Sequence, residues 1–290
     1  MTTHTEAEIA SQPDCWRRAV SEVSTDALPR RGERVAVVGC GTSWFIAQAY
    51  AVLRERAGHG ETDAFAASEF PAGRSYDRVL ALTRSGTTTE VLELLRSTGT
   101  ATTAITADPD TPVMALADEV VVLDFADEKS VVQTRFATTQ LALLRAHLGE
   151  DLTAAIADAE RAVADPLPAE LLAAEQFTFL GRGWTYGLAV EAGLKMREAC
   201  RAWTESYPAM EYRHGPISIA GPNRVTWMLG EAPESLRGEV EATGGAFLES
   251  ALDPMAELIR VHRVAVARAH AQGLNPDEPL HLTRSVILPA

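Results

Sequence analysis

The chain has 290 residues, 46% hydrophobic and 23% charged, enough to bury a sizeable core as one large domain or two small ones. Its formal net charge of −14 argues against a protein that grips nucleic acid by neutralising phosphates, while leaving room for a local basic pocket.

Residues 6 to about 23 carry the period of a short amphipathic helix, with Ile9, Trp16, Ala19, Val20 and Val23 on its apolar face. "RVAVVGCGTSW" (34–44) is an apolar run stopped by glycines, a buried strand entering a tight turn, and "WFIAQAYAVLRERAG" (44–58) is a helix ending on Gly58. "DRVLALTRSGTTTEVLELLRST" (77–98) repeats the unit of strand, polar turn and helix. "TATTAITADPDTPV" (100–113) and "DEVVVLDFADE" (118–128) give two more strands, and Val131 to about Leu148 reads as a long helix. The polar, alanine-rich segment 149–170 reads as a helix ending at Pro166 and Pro168 and marks the domain boundary. The predicted division is 1–150, with the N-terminal helix, and 151–290, with a C-terminal tail.

Beyond the boundary the pattern recurs. "QFTFLGRGWTYGLAVEAGLKMREAC" (176–200) is again strand, Gly-rich turn and helix, and "NRVTWMLGEAPESLRGEVEATG" (223–244) adds another strand, loop and helix. The last segment, from Pro254, is a helix stopped near Gly273 and then an extended tail. Strands alternating with helices predict an α/β fold of two tandem doubly wound parallel sheets, the second smaller.

The three cysteines, Cys15, Cys40 and Cys200, show neither metal-ligand spacing nor a disulfide framework, and the seven histidines are scattered. No metal and no cofactor is expected. No signal peptide and no membrane-spanning run is evident, so the expected location is the cytoplasm, with no membrane partner.

Two constellations are candidates for chemistry. "TRSGTTTE" (83–90) crowds hydroxyls around Gly86 at a helix start, a cradle suited to a dianionic phosphate and equally an ordinary turn before a capped helix. The turns "GCGTSW" (39–44) and "GRGWTYG" (181–187) begin Gly-x-Gly without completing a dinucleotide fingerprint, since Trp44 and Tyr186 stand at the final glycine's place. No P-loop lysine follows the hydroxyl turn, so a phosphorylated small metabolite fits better than a nucleotide. In "KMREACRAWTESYPAMEYRHGP" (195–216), Lys195 and Glu198 share a helix face, which is also the pattern of a surface ion pair. His214 lies in a loop pinned by Pro208 and Pro216, and Glu205 and Glu211 read equally as solvated carboxylates.

The chain resembles the sugar isomerase (SIS) domain proteins over about residues 34 to 288, most of all the isomerase half of glucosamine-6-phosphate synthase and the AgaS-type ketose/aldose isomerases. The resemblance rests on "CGTS" (40–43), "RSGTTTE" (84–90), "TRFATTQL" (134–141), "FLGRGWTYGLAVEAGLKMRE" (179–198), "YRHGP" (212–216) and "NPDEPLHLTRSV" (275–286). It implies two SIS subdomains with the site between them, shared across a homodimer interface. It further implies that Ser43, Thr83, Ser85 and Thr88 bind a sugar 6-phosphate, with Arg84, where the synthase has glutamine, either holding the phosphate or pointing away from it. Glu198 becomes the base at sugar C1/C2, Lys195 its neighbour, and His214 the group that assists ring opening from the partner subunit. Two residues depart from the synthase: Gln133 replaces a serine that faces the sugar, and Arg284 replaces a lysine. An arginine stays protonated and does not readily form an imine with a ketose. No glutamine-hydrolysing segment is present, so synthesis from glutamine is not expected of this chain.

Opening an aldose 6-phosphate exposes a carbonyl whose α-hydrogen a placed carboxylate can remove. The resulting enediol can be reprotonated to a ketose, can lose a free 2-amino group as ammonia after that step, or can expel the C3 hydroxyl. The lost lysine favours the last outcome, a dehydratase acting on N-acetylglucosamine 6-phosphate. An isomerase/deaminase of glucosamine 6-phosphate is the alternative, and a sugar-phosphate-sensing regulator without turnover is the second.

Overall fold

The computed structural model describes residues 2–71 and 73–289. The five-stranded parallel sheet holds β1 (Val35–Gly39), β2 (Thr62–Ala66), β3 (Arg78–Leu82), β4 (Ala101–Thr106) and β5 (Glu119–Val122), in the order β2-β1-β3-β4-β5. The four-stranded parallel sheet holds β6 (Gln176–Gly181), β7 (Thr204–Pro208), β8 (Arg224–Leu229) and β9 (Ala246–Leu248), in the order β7-β6-β8-β9. The helices are α1 (His4–Ala10), α2 (Gln12–Glu22), α3 (Thr42–Arg56), α4 (Thr89–Ser97), α5 (Val113–Leu116) and α6 (Arg135–His147). They continue with α7 (Thr153–Ala164), α8 (Ala169–Ala173), α9 (Thr185–Cys200), α10 (Leu236–Glu241) and α11 (Pro254–Ala271). Among the described residues no helix is long and apolar enough to cross a membrane.

The chain forms two compact units, neither continuous in sequence. Asp14–Lys129, Arg135–Leu152 and Thr283–Ala290 make up the unit of the five-stranded sheet. Met1–Pro13, Ser130–Thr134 and Thr153–Leu282 make up the unit of the four-stranded sheet. A linear division at residue 150 differs from this at both termini: α1 counts with the second sheet and the tail from Thr283 with the first.

Central strands are apolar along their whole length because parallel sheets are covered on both faces. Every residue of β1 is buried, as are all but the first of β3, β6 and β8. Each fully buried valine or leucine there contributes about 1.5–3 kcal/mol relative to exposure. The buried threonines of β4 are satisfied: Thr102 donates to Asp118 at 2.8 Å and Thr103 to the Ala27 carbonyl at 2.8 Å. The edges are polar and short. β2 is half-buried over four of its five residues, β7 over three of five, and β9 spans only three residues.

Two sequence expectations shift. The single helix over 6–23 is two, broken at Ser11; Pro13 has no N–H to continue a ladder and is tolerated in the first turn of α2. Val20 is exposed rather than part of the apolar face, whereas Trp16 is fully buried and donates to Thr138 at 2.9 Å. The helix expected from 131 begins at Arg135, because tertiary bonds claim the preceding backbone. Ser130 N–H and hydroxyl both bond the buried Glu8 carboxylate, and Val131 N–H donates to the Asp277 carbonyl at 3.1 Å.

Candidate active site

In each sheet the strand order reverses once, between β1 and β3 and between β6 and β8. Ligands of doubly wound sheets bind at the carboxyl ends of the strands at that switch. In the first sheet β1 and β3 pair in register, Val38 against Ala81, so the turns leaving them open at the same edge. Those turns carry Ser43 and the run from Thr83 to Thr88, the residues expected to hold phosphate.

The two Gly-x-Gly turns are built alike. A Cβ at Gly39 comes within 2.7 Å of the Ser43 backbone, and one at Gly181 within 2.3 Å of the Thr185 carbonyl oxygen. Only glycine lets the following helix approach its strand so closely. Helices α3 and α4 both start without a side-chain cap, leaving their positive ends to the loops before them.

Ser43, Thr83 and Ser85 are buried, and Thr88 is half-buried at the start of α4, its hydroxyl not used as a cap. Ser85 accepts from Thr87 N–H at 3.3 Å. Thr83 N–H donates to the Ile105 carbonyl at 3.0 Å, while its hydroxyl oxygen is buried with no partner among the described residues. Arg84 is buried against Glu128 at 3.5 Å and donates to the Arg284 carbonyl at 3.0 Å. The Arg284 guanidinium in turn binds Asp127 at 2.5 Å and the Glu128 carbonyl. The tail continues along the turn: Thr87 bonds Ser285 at 2.9 Å, and Thr89 N–H donates to the Val286 carbonyl at 3.2 Å. Half-buried Cys40 is no nucleophile here, since burial and then Glu90 push its thiol up to about 11.

In the other unit a buried charged cluster lies on α9. Glu191, Lys195 and Glu198 are spaced four and three apart, one face of a helix. The side chains of Glu191 and Lys195 are 0% and 1% exposed and 3.5 Å apart, while Glu198, 17% exposed, contacts the same ammonium. A buried cation between a sequestered carboxylate and an accessible one keeps the accessible carboxylate oriented. Helix α11 packs on α9 and brings fully buried His262, whose Nδ1 faces the Gln12 amide nitrogen at 3.3 Å. Burial, and after it the Lys195 charge, push His262 down to about 3, so the ring is neutral at physiological pH.

His214 ends a 3₁₀ turn, Glu211–His214, and is exposed. The turn is held by Arg213, which grips Glu239 at 2.7 and 2.9 Å, and by Tyr212, whose hydroxyl pairs with Thr226 at 3.2 Å. Glu205 accepts from Tyr207 at 2.8 Å, and Glu211 is exposed. Gln133 is half-buried in the non-helical stretch before α6, its amide oxygen buried with no partner among the described residues.

Residues 30–148 match the family model of the SIS domain. This stretch is similar to SIS domains. Over most of its length the chain is similar to glutamine–fructose-6-phosphate aminotransferases. It is 27% identical to that enzyme from Gloeobacter violaceus, over 88% of this chain and 52% of the relative. The chain thus spans about half the length of the curated relatives it matches. Among solved structures it is similar to a glucosamine-6-phosphate deaminase from Thermotoga maritima, with TM-score 0.83, 23% identity and coverage of 99% and 100% of the two chains. It is similar also to the C-terminal domain of glucosamine-fructose-6-phosphate aminotransferase from Francisella tularensis, with TM-score 0.84, 22% identity and coverage of 96% and 98%. These likenesses show the fold, two parallel sheets of SIS type.

Within residues 30–148, the acids Asp127 and Glu128 behind Arg84 and Arg284 escaped sequence reasoning, as did Glu191 and His262 in the other unit. Glu191 had a signal, since Glu-x₃-Lys-x₂-Glu places three charges on one helix face. His262 had none, being one of two histidines in a helix that also carries Arg260, Arg263 and Arg268.

Proposed function

We propose that the chain is a proton-transfer enzyme acting on an amino sugar 6-phosphate, with isomerisation or deamination as its outcome. The observation that carries this reading is the Lys195–Glu198 contact, a partly accessible carboxylate held by an ammonium that is itself out of water. In this reading Ser43, Thr83, Ser85 and Thr88 hold the phosphate with hydroxyls and N–H groups. His214 assists ring opening, Glu198 removes the C2 proton, and returning it to C1 gives the ketose. Where the substrate carries a free 2-amino group, the ketose-level imine loses ammonia to water. Gln133 is the polar group offered to the sugar hydroxyls. The names of the similar proteins, an isomerising aminotransferase and a deaminase, support this outcome over elimination.

One observation keeps the dehydratase of N-acetylglucosamine 6-phosphate as a second reading. The tail presents Arg284, engaged by Asp127, where an imine-forming amine stands in the synthase. A homodimer in which His214 serves the partner's site belongs to the same proposal, and a monomer in sedimentation equilibrium refutes that part.

The test is incubation with glucosamine 6-phosphate and its N-acetyl form, following ketose, ammonia and unsaturated product. Ketose or ammonia supports the first reading, and an unsaturated sugar phosphate the second. Binding without any turnover, unchanged in Glu198→Gln, leaves a sugar-phosphate sensor.

A further inference from the structure

Arg84 is the charged residue of the hydroxyl turn, yet both arms of its guanidinium are already used. Nη1 lies 3.5 Å from the Glu128 carboxylate, in a pair 1% and 0% exposed. Nη2 donates to the Arg284 carbonyl at 3.0 Å. Glu128 is fixed in turn, its other oxygen accepting from Arg135 N–H at 2.8 Å where α6 begins. The backbone of Arg84 is held as well: its carbonyl accepts from Ala107 N–H at 3.0 Å and from the Thr106 hydroxyl at 3.2 Å. The bond to the tail is reciprocal, because the Arg284 guanidinium returns to Asp127 and to the Glu128 carbonyl. A guanidinium matched by a buried carboxylate brings no uncompensated charge to an anion.

We propose that Arg84 is a positioning residue, not a phosphate ligand: through Glu128 and the Arg284 carbonyl it sets the backbone on which Thr83, Ser85 and Thr88 bind phosphate with uncharged donors. This rests on the phosphate reading of the turn given above. Arginine suits the role because its planar fork donates in two directions at once, which a lysine ammonium on a flexible stem does not reproduce.

The two roles differ in the sign of one substitution. If Arg84 positions the turn, Glu128→Gln and Arg84→Gln both loosen it, and each weakens inorganic phosphate binding by about tenfold, the equivalent of one charged hydrogen bond. KM for the sugar phosphate then rises in both variants while kcat at saturation holds. If Arg84 is a ligand, Glu128→Gln frees its full charge and phosphate binds more tightly. Isothermal titration of the full chain with inorganic phosphate measures this. Tighter or unchanged binding by Glu128→Gln overturns the proposal. Should that variant fail to fold, Arg84→Lys decides: a ligand role survives the swap, a positioning role does not, so parental affinity in Arg84→Lys also overturns it. A parent chain that binds no phosphate removes the underlying reading instead, and is recognised before any variant is compared.

Discussion

Replacing Glu191 and Glu198 by glutamine, one at a time, separates stability from chemistry on one face of α9. The Lys195 ammonium is 1% exposed, Glu191 is 0% exposed at 3.5 Å, and Glu198 is 17% exposed in contact. Glu191→Gln removes the carboxylate that has no access to water and leaves Glu198 in contact with the ammonium. Breaking a buried pair by deleting one partner costs about 3–5 kcal/mol, and the remaining carboxylate brings the expectation here to about 2–3 kcal/mol. Glu198→Gln keeps the buried pair, and its amide oxygen can still accept from Lys195, so its cost stays below about 1 kcal/mol. Total stabilities of about 5–15 kcal/mol make that difference easy to read in urea denaturation. Activity runs the other way. Glu198→Gln loses the base and with it about 10²–10⁴ in kcat, while Glu191→Gln stays within about tenfold of the parent. Equal destabilisation by the two substitutions, or an active Glu198→Gln, refutes the reasoning.

His262 predicts an acid-sensitive fold. Its folded pKa near 3 lies below the unfolded value, so between pH 6.5 and 3 the unfolded chain holds more protons and stability falls with pH. From pH 7 to 5 the parent should lose about 2 kcal/mol more than His262→Leu in urea titrations, and parallel pH profiles would contradict this. Thr83 predicts a trade of function against stability, because its buried hydroxyl has no partner among the described residues. Thr83→Val should leave the melting temperature unchanged or raise it while weakening phosphate by about fivefold to tenfold, and a clear loss of stability would count against a hydroxyl held for a ligand. Gly181→Ala drives a Cβ to 2.3 Å from the Thr185 carbonyl oxygen, a backbone atom that cannot swing aside. A loss of about 3 kcal/mol is expected, and an unchanged melting temperature would disprove the close approach.

What was legible in the sequence follows from burial on two faces. β1, β3, β6 and β8 were readable as apolar runs because central parallel strands are covered above and below. β2 and β7, "TDAFA" and "TESYP", were not: as half-buried edge strands they need no continuous apolar run, and Pro208 at the end of β7 reads as a breaker. "VVQT" reads as helical from its neighbours, but the remote Glu8 and Asp277 claim the backbone of Ser130 and Val131. The turn at 83–88 announced itself by composition, but the fate of Arg84 depended on an acid 44 residues away. Periodicity carries no information about such a partner. Lys195 with Glu198 was visible by spacing, whereas their burial, the property that distinguishes them from a surface pair, was not.

The duplication repeats geometry, not chemistry. Gly39 with Ser43 and Gly181 with Thr185 solve the same problem of bringing a helix start onto a strand end, one in each sheet at the equivalent switch point. The turns on the neighbouring strands then diverge. After β3 comes a run of hydroxyls and after β8 comes "GEAPES", whose first charge is Glu231. Carboxylates repel an anion that hydroxyls and N–H groups attract, so only the first switch point is fit for phosphate. In the second unit the titratable groups lie instead along α9, where a charge can be held out of water by a neighbouring helix. In the proposed reading, a loop that accepts a doubly charged ligand needs hydroxyls and N–H groups that can turn to it, while a base needs a partly desolvated carboxylate with a fixed partner. The same strand–turn–helix unit can offer the first from its turn and the second from its helix.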